Sequence, residues 1–254
     1  MKLEVNGIVF SYGGDPILKS VSLGLNGSEI LGILGPNGSG KTTLIKCINR
    51  ILAPSQGSIM LDSTDVTKMK QRDIAKHFGY VPQNTVNDLS SPSVFDVVMM
   101  GRRPYSMGWQ YSKEDEELVW KSLEELEVAD LASRPFDRLS SGQTQRVLMA
   151  RAICQGANIL LLDEPTSNLD VRYQLEVMNT VKRIVTERGV SACAIIHDID
   201  MAMRFCDKAV ILSGGKIIAA GDIEEVITPE NIKKAYGVDI AIDRNYGRSH
   251  VIVI

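Results

Sequence analysis

Apolar residues recur in short runs over the first third of the chain, and turn residues separate these runs. The stretches LEVNGIVFSY, ILKSVSLGL and EILGILG predict three strands, and the third leads directly into a glycine-rich loop. After the loop, TTLIKCINRIL has helical spacing and PSQGSIMLD returns to a strand pattern. The order strand, glycine loop, helix is therefore predicted in this region.

The pattern changes between residues 92 and 155, where SVFDVVMMG, SKEDEELVWKSLEELEV and GQTQRVLMARAICQ all predict helices. Ser112 with Asp115 resembles a helix start, and Val119, Leu123 and Leu126 fall on one face. We predict a helical subdomain over residues 84–156, inserted into a core formed by residues 1–83 and 157–254.

Strands and helices alternate in the last third. NILLLDEP is typical of a strand buried on both faces, and VRYQLEVMNTVKRIVTERG predicts an amphipathic helix that ends at Gly189. VSACAIIHD, a helix near DIDMAMRFC and a hairpin in AVILSGGKIIAAG follow, with the turn at Gly214-Gly215. This alternation favours an α/β fold with a mostly parallel sheet. The tail VDIAIDRNYGRSHVIVI predicts additional edge strands.

Composition narrows the classes of protein that remain. In 254 residues, 28 Lys and Arg nearly balance 31 Asp and Glu, which argues against a broad basic face for nucleic acid. No apolar run approaches the roughly 20 residues that cross a bilayer, and MKLEVNGIVF lacks the features of a signal peptide. We therefore expect a cytoplasmic protein. The four cysteines contain no CxxC pair and are predicted to be small buried residues.

The glycine-rich loop has the spacing of a phosphate-binding loop. GPNGSGKT matches G-x-x-x-x-G-K-[ST] at Gly35, Gly40, Lys41 and Thr42, between a predicted strand and a predicted helix. Glycines let backbone N–H groups turn toward phosphate oxygens, Lys41 neutralises phosphate charge, and Thr42 offers its hydroxyl to Mg²⁺. The alternative is a glycine turn with a solvated lysine, but the complete motif in this context favours nucleotide binding.

A second motif supplies carboxylates. NILLLDEP places Asp163 at the end of a strand, where it can reach the metal, and Glu164 follows it. A general base must lie within hydrogen-bond reach of the attacking water. We predict that Asp163 binds Mg²⁺ and that Glu164 is the base. Alone, the pair could simply cap a strand or begin a turn, but the phosphate loop favours the catalytic interpretation.

RLSSGQTQR, residues 138–146, predicts a second anion-binding helix start. Ser140, the amide of Gly142 and the first turn near Gln143 can direct donors and a positive helix dipole at a phosphate. Since the chain already contains one phosphate loop, this second element raises the question of whose phosphate it binds.

Together, GPNGSGKTT, RLSSGQTQR and ILLLDEPTSNLD resemble the ATP-binding subunits of ABC transporters, and the order and spacing of the motifs match over nearly the whole chain. The resemblance implies an α/β P-loop ATPase core with a mostly parallel sheet, an N-terminal antiparallel β region and the inserted helical subdomain. It also implies ATP and Mg²⁺ as cofactors.

The resemblance implies roles for individual residues. Tyr12 is similar to the aromatic residue that stacks on adenine, Gln83 to the glutamine that joins the core to the helical subdomain, and His197 to the histidine that contacts the γ-phosphate. Residues 167–170, SNLD, resemble a loop between two subunits. Alone, a tyrosine in a surface turn or a histidine at a strand end is usually an ordinary polar residue. The implied catalytic residues are Glu164, His197 and Gln83; the implied metal ligands are Thr42, Gln83 and Asp163; the implied nucleotide-binding residues are Tyr12, Gly35, Pro36, Asn37, Gly38, Ser39, Gly40, Lys41, Thr42, Thr43, Ser140, Gly142, Gln143 and Asp163.

In the family that the motifs resemble, two subunits pack head to tail, and each ATP lies between the phosphate loop of one and the LSGGQ loop of the other. The resemblance therefore implies a homodimer in which RLSSGQ binds the partner's phosphate. Ser141 departs from the family pattern, where glycine is usual. If this position needs a positive φ, serine adds about 1 to 3 kcal/mol of strain, and otherwise it is harmless or adds a donor.

Residues 90–109, SSPSVFDVVMMGRRPYSMGW, resemble the importers of ferric siderophores, haem and vitamin B12. That branch implies a pair of membrane permeases, an indirect solute-binding partner, and a position on the inner face of the membrane. Arg102 and Arg103 have a simpler interpretation as a solvated charged face, which we expect for at least one of them.

Three alternative classes stay open at this point. A small GTPase or kinase would explain the phosphate loop, but an NKxD-type motif is missing and RLSSGQTQR is unexplained. An exporter ATPase is disfavoured by the GRRPY segment. A non-transport ABC ATPase, acting in repair, translation or soluble assembly, is the strongest rival.

Overall fold

The structure is a computed structural model, and it describes residues 1–83, 92–106, 110–167, 169–244 and 249–254. Asn168 of the predicted inter-subunit loop lies outside the described residues, as do parts of the 90–109 segment and of the tail.

The secondary structure alternates as the hydrophobic pattern predicts. The strands are β1 (Leu3–Phe10), β2 (Leu18–Leu25), β3 (Ile30–Leu34), β4 (Gln56–Leu61), β5 (Thr64–Asp65), β6 (Phe78–Val81), β7 (Ile159–Leu162), β8 (Ser191–Ile195), β9 (Lys208–Ser213), β10 (Lys216–Asp222), β11 (Ile240–Asp243) and β12 (His250–Val253). The α-helices are α1 (Lys41–Ile48), α2 (Gln71–His77), α3 (Val94–Met99), α4 (Lys113–Glu125), α5 (Ser141–Cys154), α6 (Val171–Arg188), α7 (Ile199–Phe205), α8 (Ile223–Val226) and α9 (Pro229–Tyr236).

A six-stranded sheet with the order β10-β9-β3-β8-β7-β6 forms the centre of the fold. Every neighbouring pair from β9 to β6 is parallel, and β10 adds an antiparallel edge. All residues of β3, β7 and β8 are buried, which explains their continuous apolar sequences. The mostly parallel sheet is confirmed. Its topology brings the ends of β3, β7 and β8 to one edge, where Gly35, Asp163 and His197 follow.

A separate antiparallel sheet with the order β2-β1-β4-β5 covers one side of the central sheet. The inward positions of β1 are Leu3, Val5, Ile8 and Phe10, all buried. They share one core cluster with α1 and with residues of β3, β7 and β8. The antiparallel β region is confirmed, and it packs against α1, the helix that follows the phosphate loop.

Helices α3, α4 and α5 pack against one another in the middle of the chain. Each begins with a capping box, in which a serine accepts from an amide three residues on and the residue there bonds back: Ser93 with Asp96, Ser112 with Asp115, and Ser140 with Gln143. The predicted start at Ser112 is confirmed. Val119, Leu123 and Leu126 are all buried, so the predicted face is confirmed as well.

Helix α6 has the ends that the sequence predicts. The Asp170 carboxylate accepts a hydrogen bond from the Tyr173 amide at 3.1 Å, and Gly189 ends the helix with φ 65°. The four cysteines are buried as predicted. Burial raises the pKa of the Cys47 and Cys193 thiols to about 12.

The tail differs from its prediction. Instead of extending an existing sheet, β11 and β12 pair with each other as an independent hairpin. The Val251 amide donates to the Asp200 carboxylate at 2.7 Å, and Ile242 and Val251 pack on the core. The hairpin is therefore attached to α7 rather than to the central sheet.

Candidate nucleotide site

The phosphate loop follows β3 and takes conformations that only glycine adopts without strain. Gly35, Gly38 and Gly40 have φ of 145°, 76° and 106°. A Cβ added to Gly35 would lie 1.9 Å from the carbonyl oxygen of Leu212 in β9. The first glycine of the motif is therefore required by close contact with the neighbouring strand, in addition to its backbone angle.

Lys41 is buried beneath this loop, with 6% of its surface exposed. Its ammonium donates to the carbonyls of Gly35 and Pro36, at 2.8 and 3.0 Å. Burial lowers the pKa of Lys41, and the carboxylates of Glu164 and Asp163 oppose that shift. The Ser39 hydroxyl is also buried, and within the described residues it has no hydrogen-bond partner. A buried cation and an unpaired hydroxyl in a glycine-rich loop suit an anionic phosphate chain.

Asp163 connects β7 to the loop. It is 2% exposed, and its Oδ1 accepts from the Thr42 hydroxyl at 2.9 Å while its Oδ2 accepts from the Tyr80 hydroxyl at 3.1 Å. Burial raises the pKa of Asp163, although both hydroxyls oppose the shift. A hydroxyl and a carboxylate oxygen in contact are the hard oxygen donors that Mg²⁺ prefers, so these residues fit that ion.

Glu164 lies between two polar side chains from neighbouring strand ends. Its Oε1 is 2.6 Å from His197 Nε2, and its Oε2 accepts a hydrogen bond from the Gln83 amide. Glu164 has φ 54°, a left-handed conformation that costs a non-glycine residue about 1 to 3 kcal/mol. The fold therefore holds this carboxylate in a strained position beside the phosphate loop.

These residues line one open cleft of about 590 Å³. The cleft brings together the predicted lysine, the base and the two residues that contact the base. The lining residues are Ile17, Asn37, Gly38, Gly40, Lys41, Thr42, Thr43, Gln83, Glu164 and His197. Ile17 was not predicted, because a single apolar residue in a loop carries no sequence signal. Tyr12 does not line the cleft; it is 65% exposed, with its ring edge-on to Phe10 at 4.8 Å.

The RLSSGQTQR element lies outside this cleft. Ser140 is exposed at the N-terminus of α5, and its backbone N–H donates to the Gln143 side chain at 3.1 Å. Ser141 is the exposed first residue of α5 and has no positive φ, so the strained alternative for this position is wrong. Gly142 is buried against the Tyr173 ring, where an added Cβ would lie 3.4 Å from the ring.

A second cleft, of about 720 Å³, separates α2 and β6 from the 100–106 segment and α5. Arg72 of α2 donates to the carbonyls of Pro104 and Ser106, at 2.7 and 2.9 Å, and thereby crosses it. Arg102 is not solvated: its guanidinium pairs with Asp115 at 2.8 Å, and both side chains are nearly buried. Arg103 is exposed on the wall of the cleft, as expected for at least one of the two arginines.

Comparison with known proteins decides the family. A sequence profile of the ABC transporter family matches residues 18–167, which is more than half of the chain. The chain belongs to the ABC transporter family. It is an ABC-type ATPase, and the resemblance stated from the three motifs is confirmed.

Relatives of this ABC ATPase match over almost its full length. An ABC transporter ATP-binding protein of Methanocaldococcus jannaschii is 42% identical over 100% of this chain and 98% of its own. The iron(3+)-hydroxamate import ATP-binding protein of Bacillus subtilis is 35% identical, over 94% and 89%. A solved ABC transporter described as of the metal-chelate type, in an inward-facing conformation, superposes with a TM-score of 0.86 at 26% identity, over 99% and 97%. Across the described ranges, no helix is both long and apolar enough to span a bilayer.

Proposed function

We propose that this ABC ATPase hydrolyses Mg-ATP to drive an importer whose permeases are separate membrane proteins. The observation that carries the proposal is that Lys41, Thr42 and Glu164 line one cleft, with the buried Asp163 carboxylate hydrogen-bonded to Thr42 behind it. Each meets a different requirement of phosphoryl transfer: Lys41 neutralises charge, the Thr42–Asp163 pair binds the metal, and Glu164 activates water.

The residues divide the chemistry among them. Lys41 and the phosphate loop bind the β- and γ-phosphates of ATP. Thr42 and Asp163, with Gln83, would hold Mg²⁺, which supplies charge neutralisation on the phosphate oxygens when it is bound. Glu164 accepts a proton from the attacking water, and His197 and Gln83 orient the Glu164 carboxylate. Tyr12 is sufficiently exposed to stack on the adenine ring.

We further propose that two copies form the complete site. The nucleotide cleft of one subunit is not lined by that subunit's own Ser140, Gly142 or Gln143. These residues are therefore available to a nucleotide bound by another copy. An exposed capped helix start is suited to a phosphate supplied from outside. A head-to-tail homodimer uses both surfaces twice and generates two equivalent sites by two-fold symmetry.

The second cleft is our proposed contact for a permease. Its walls come from α2 and β6 on one side and from the 100–106 segment and α5 on the other, and exposed Met100 and Arg103 border it. A segment seated there would contact both walls at once. The name of the Bacillus subtilis relative favours an iron complex as cargo, with haem or a corrinoid as alternatives, and a solute-binding protein as an indirect partner. The ATPase would then lie peripherally on the inner face of the membrane.

The test uses the Glu164→Gln protein in its ATP-bound form as bait. Proteins that bind it are captured from detergent-solubilised source membranes and identified by mass spectrometry. We expect a polytopic permease together with a solute-binding protein. Lys41→Ala, which should not form the ATP-bound dimer, is the matched control. Recovery of soluble proteins alone, with no ATPase in the membrane fraction before detergent, would contradict the importer proposal and favour a soluble ABC machine.

A further inference from the structure

Tyr80 contacts the central carboxylate of the site, although the catalytic motifs do not include it. It lies in β6, and its hydroxyl donates to Asp163 Oδ2 at 3.1 Å. On the other oxygen, the Thr42 hydroxyl donates to Asp163 Oδ1 at 2.9 Å. Because Asp163 is 2% exposed, water has little access to replace either donor. The two hydroxyls therefore hold the carboxylate through both of its oxygens.

The position of Tyr80 is itself determined by the fold. Tyr80 pairs with Leu161 in the parallel β6–β7 ladder, which brings its ring beside Asp163. The Arg151 guanidinium, projecting from α5, donates to the Tyr80 carbonyl at 3.2 Å. Two residues earlier in β6, the Phe78 carbonyl accepts from the Gln155 side chain at 2.9 Å. Strand β6 is thus held by β7 on one side and by two side chains at the end of α5.

A tyrosine hydroxyl is suited to orient a metal-binding carboxylate. A tyrosine phenol is ordinarily protonated at neutral pH, so the Tyr80 hydroxyl acts as a hydrogen-bond donor to the Asp163 carboxylate. As a neutral donor, it fixes the carboxylate without introducing a positive charge that would compete with a cation. Groups of this kind behind a metal ligand commonly change metal affinity about 10- to 100-fold when they are removed.

We infer that Tyr80 is a positioning residue that orients Asp163 for Mg²⁺, with its hydroxyl as the acting group. The inference rests on the proposed function, in which Asp163 is a metal ligand. Tyr80 also lines the second cleft, so the group that orients the metal ligand borders the surface proposed for the permease.

The test removes the hydroxyl alone, with Tyr80→Phe. Mn²⁺ is the probe, and its binding in the presence of a non-hydrolysable ATP analogue is followed by loss of the free-ion electron paramagnetic resonance signal. We expect Mn²⁺ affinity to fall about tenfold or more. Affinity for the nucleotide in metal-free buffer should stay unchanged. The melting temperature without nucleotide should fall modestly, because the buried Asp163 carboxylate loses one hydrogen-bond donor. Tyr111→Phe, outside both clefts, is the matched control and should bind Mn²⁺ as the wild type does.

The possible outcomes separate the inference from the proposed function. Mn²⁺ affinity of Tyr80→Phe within about twofold of the wild type would overturn the positioning role. An equal loss of Mn²⁺ and metal-free nucleotide affinity would also overturn it, because that result indicates general packing. Asp163→Asn measures the loss of the ligand itself. If Asp163→Asn binds Mn²⁺ normally, the metal assignment within the proposed function fails.

Discussion

His197 Nε2 lies 2.6 Å from Glu164 Oε1, and the two residues follow adjacent strands of the central sheet. The second carboxylate oxygen accepts a hydrogen bond from Gln83, which follows β6. Three strand ends therefore hold one carboxylate, and Glu164 keeps a left-handed backbone conformation there. Such local strain is typical of positions that a functional geometry requires.

Glu164→Gln keeps the size of the side chain and one acceptor oxygen but removes the base. We expect ATP binding to remain and the hydrolysis rate to fall by about 10² to 10⁴. The ATP-bound dimer should accumulate, since it is no longer resolved by hydrolysis. Phosphate release and size-exclusion chromatography with ATP measure the two effects. Normal turnover by this variant would remove Glu164 as the base.

Lys41→Ala removes the buried cation of the loop and leaves the carbonyls of Gly35 and Pro36 without its ammonium. Charge-assisted hydrogen bonds are worth about 1.5 to 3 kcal/mol, so nucleotide affinity should fall about 10- to 100-fold. Direct binding of a fluorescent ATP analogue measures this change. Lys121→Ala, on an exposed position of α4, is the control and should bind normally. Equal affinities in the two variants would exclude the role of Lys41.

Asp163 makes stability depend on pH. Because burial raises its pKa in the folded protein, the folded state binds the proton more tightly than the unfolded chain does. The wild type therefore loses stability as pH rises from the unfolded pKa through the folded pKa. Asp163→Asn cannot ionise and should gain stability relative to the wild type across that range. The gain is about 1.4 kcal/mol for every tenfold change in proton affinity.

Urea unfolding of both proteins in metal-free buffer, at about pH 3.5, which is below the ordinary Asp pKa, and at about pH 7.5, measures this difference. The advantage of Asp163→Asn should be larger at the higher pH. A difference that does not change with pH would show that the carboxyl has the same pKa in the folded and unfolded states.

Ser141→Gly restores the residue that is usual in the family at this position. Since Ser141 is an exposed helical residue without a positive φ, glycine relieves no strain. We expect ATPase activity within about twofold of the wild type and a loss of stability of roughly 0.5 kcal/mol or less, from the lower helix propensity of glycine. Steady-state hydrolysis and thermal unfolding test this. A large gain in activity would mean that Ser141 hinders the shared site.

The sequence predicted elements whose apolar pattern is long or continuous, such as β7 and α6, and it predicted the motifs at their ends. It did not indicate α2 and β6, because QRDIAKH is mostly polar and FGYV is only four residues long with a glycine. The tail alternates like an edge strand, but alternation alone cannot specify which strand is its partner. The pairing of β11 with β12 is therefore compatible with the alternating pattern, although the pattern did not predict it.

Contacts between distant residues were the least predictable part of the site. The Tyr80 hydroxyl reaches Asp163 only because β6 and β7 are neighbours in register, and neither residue reveals that pairing. Arg102 belongs to a charged pair of residues that is typical of a solvated face, yet its partner Asp115 is the third residue of α4 and completes the capping box with Ser112. Local motifs therefore identified the chemistry, while the tertiary fold determined which additional side chains support it.

The most direct test of a nucleotide site shared between two copies is specific ATPase activity as a function of protein concentration. If each site needs RLSSGQTQR from a partner, the rate per molecule of the detached protein should rise with concentration and then level off when dimers predominate. Sedimentation in the same buffer should show a monomer at the lowest concentration. A constant rate per molecule across a dilution series that begins with monomers would contradict the shared site.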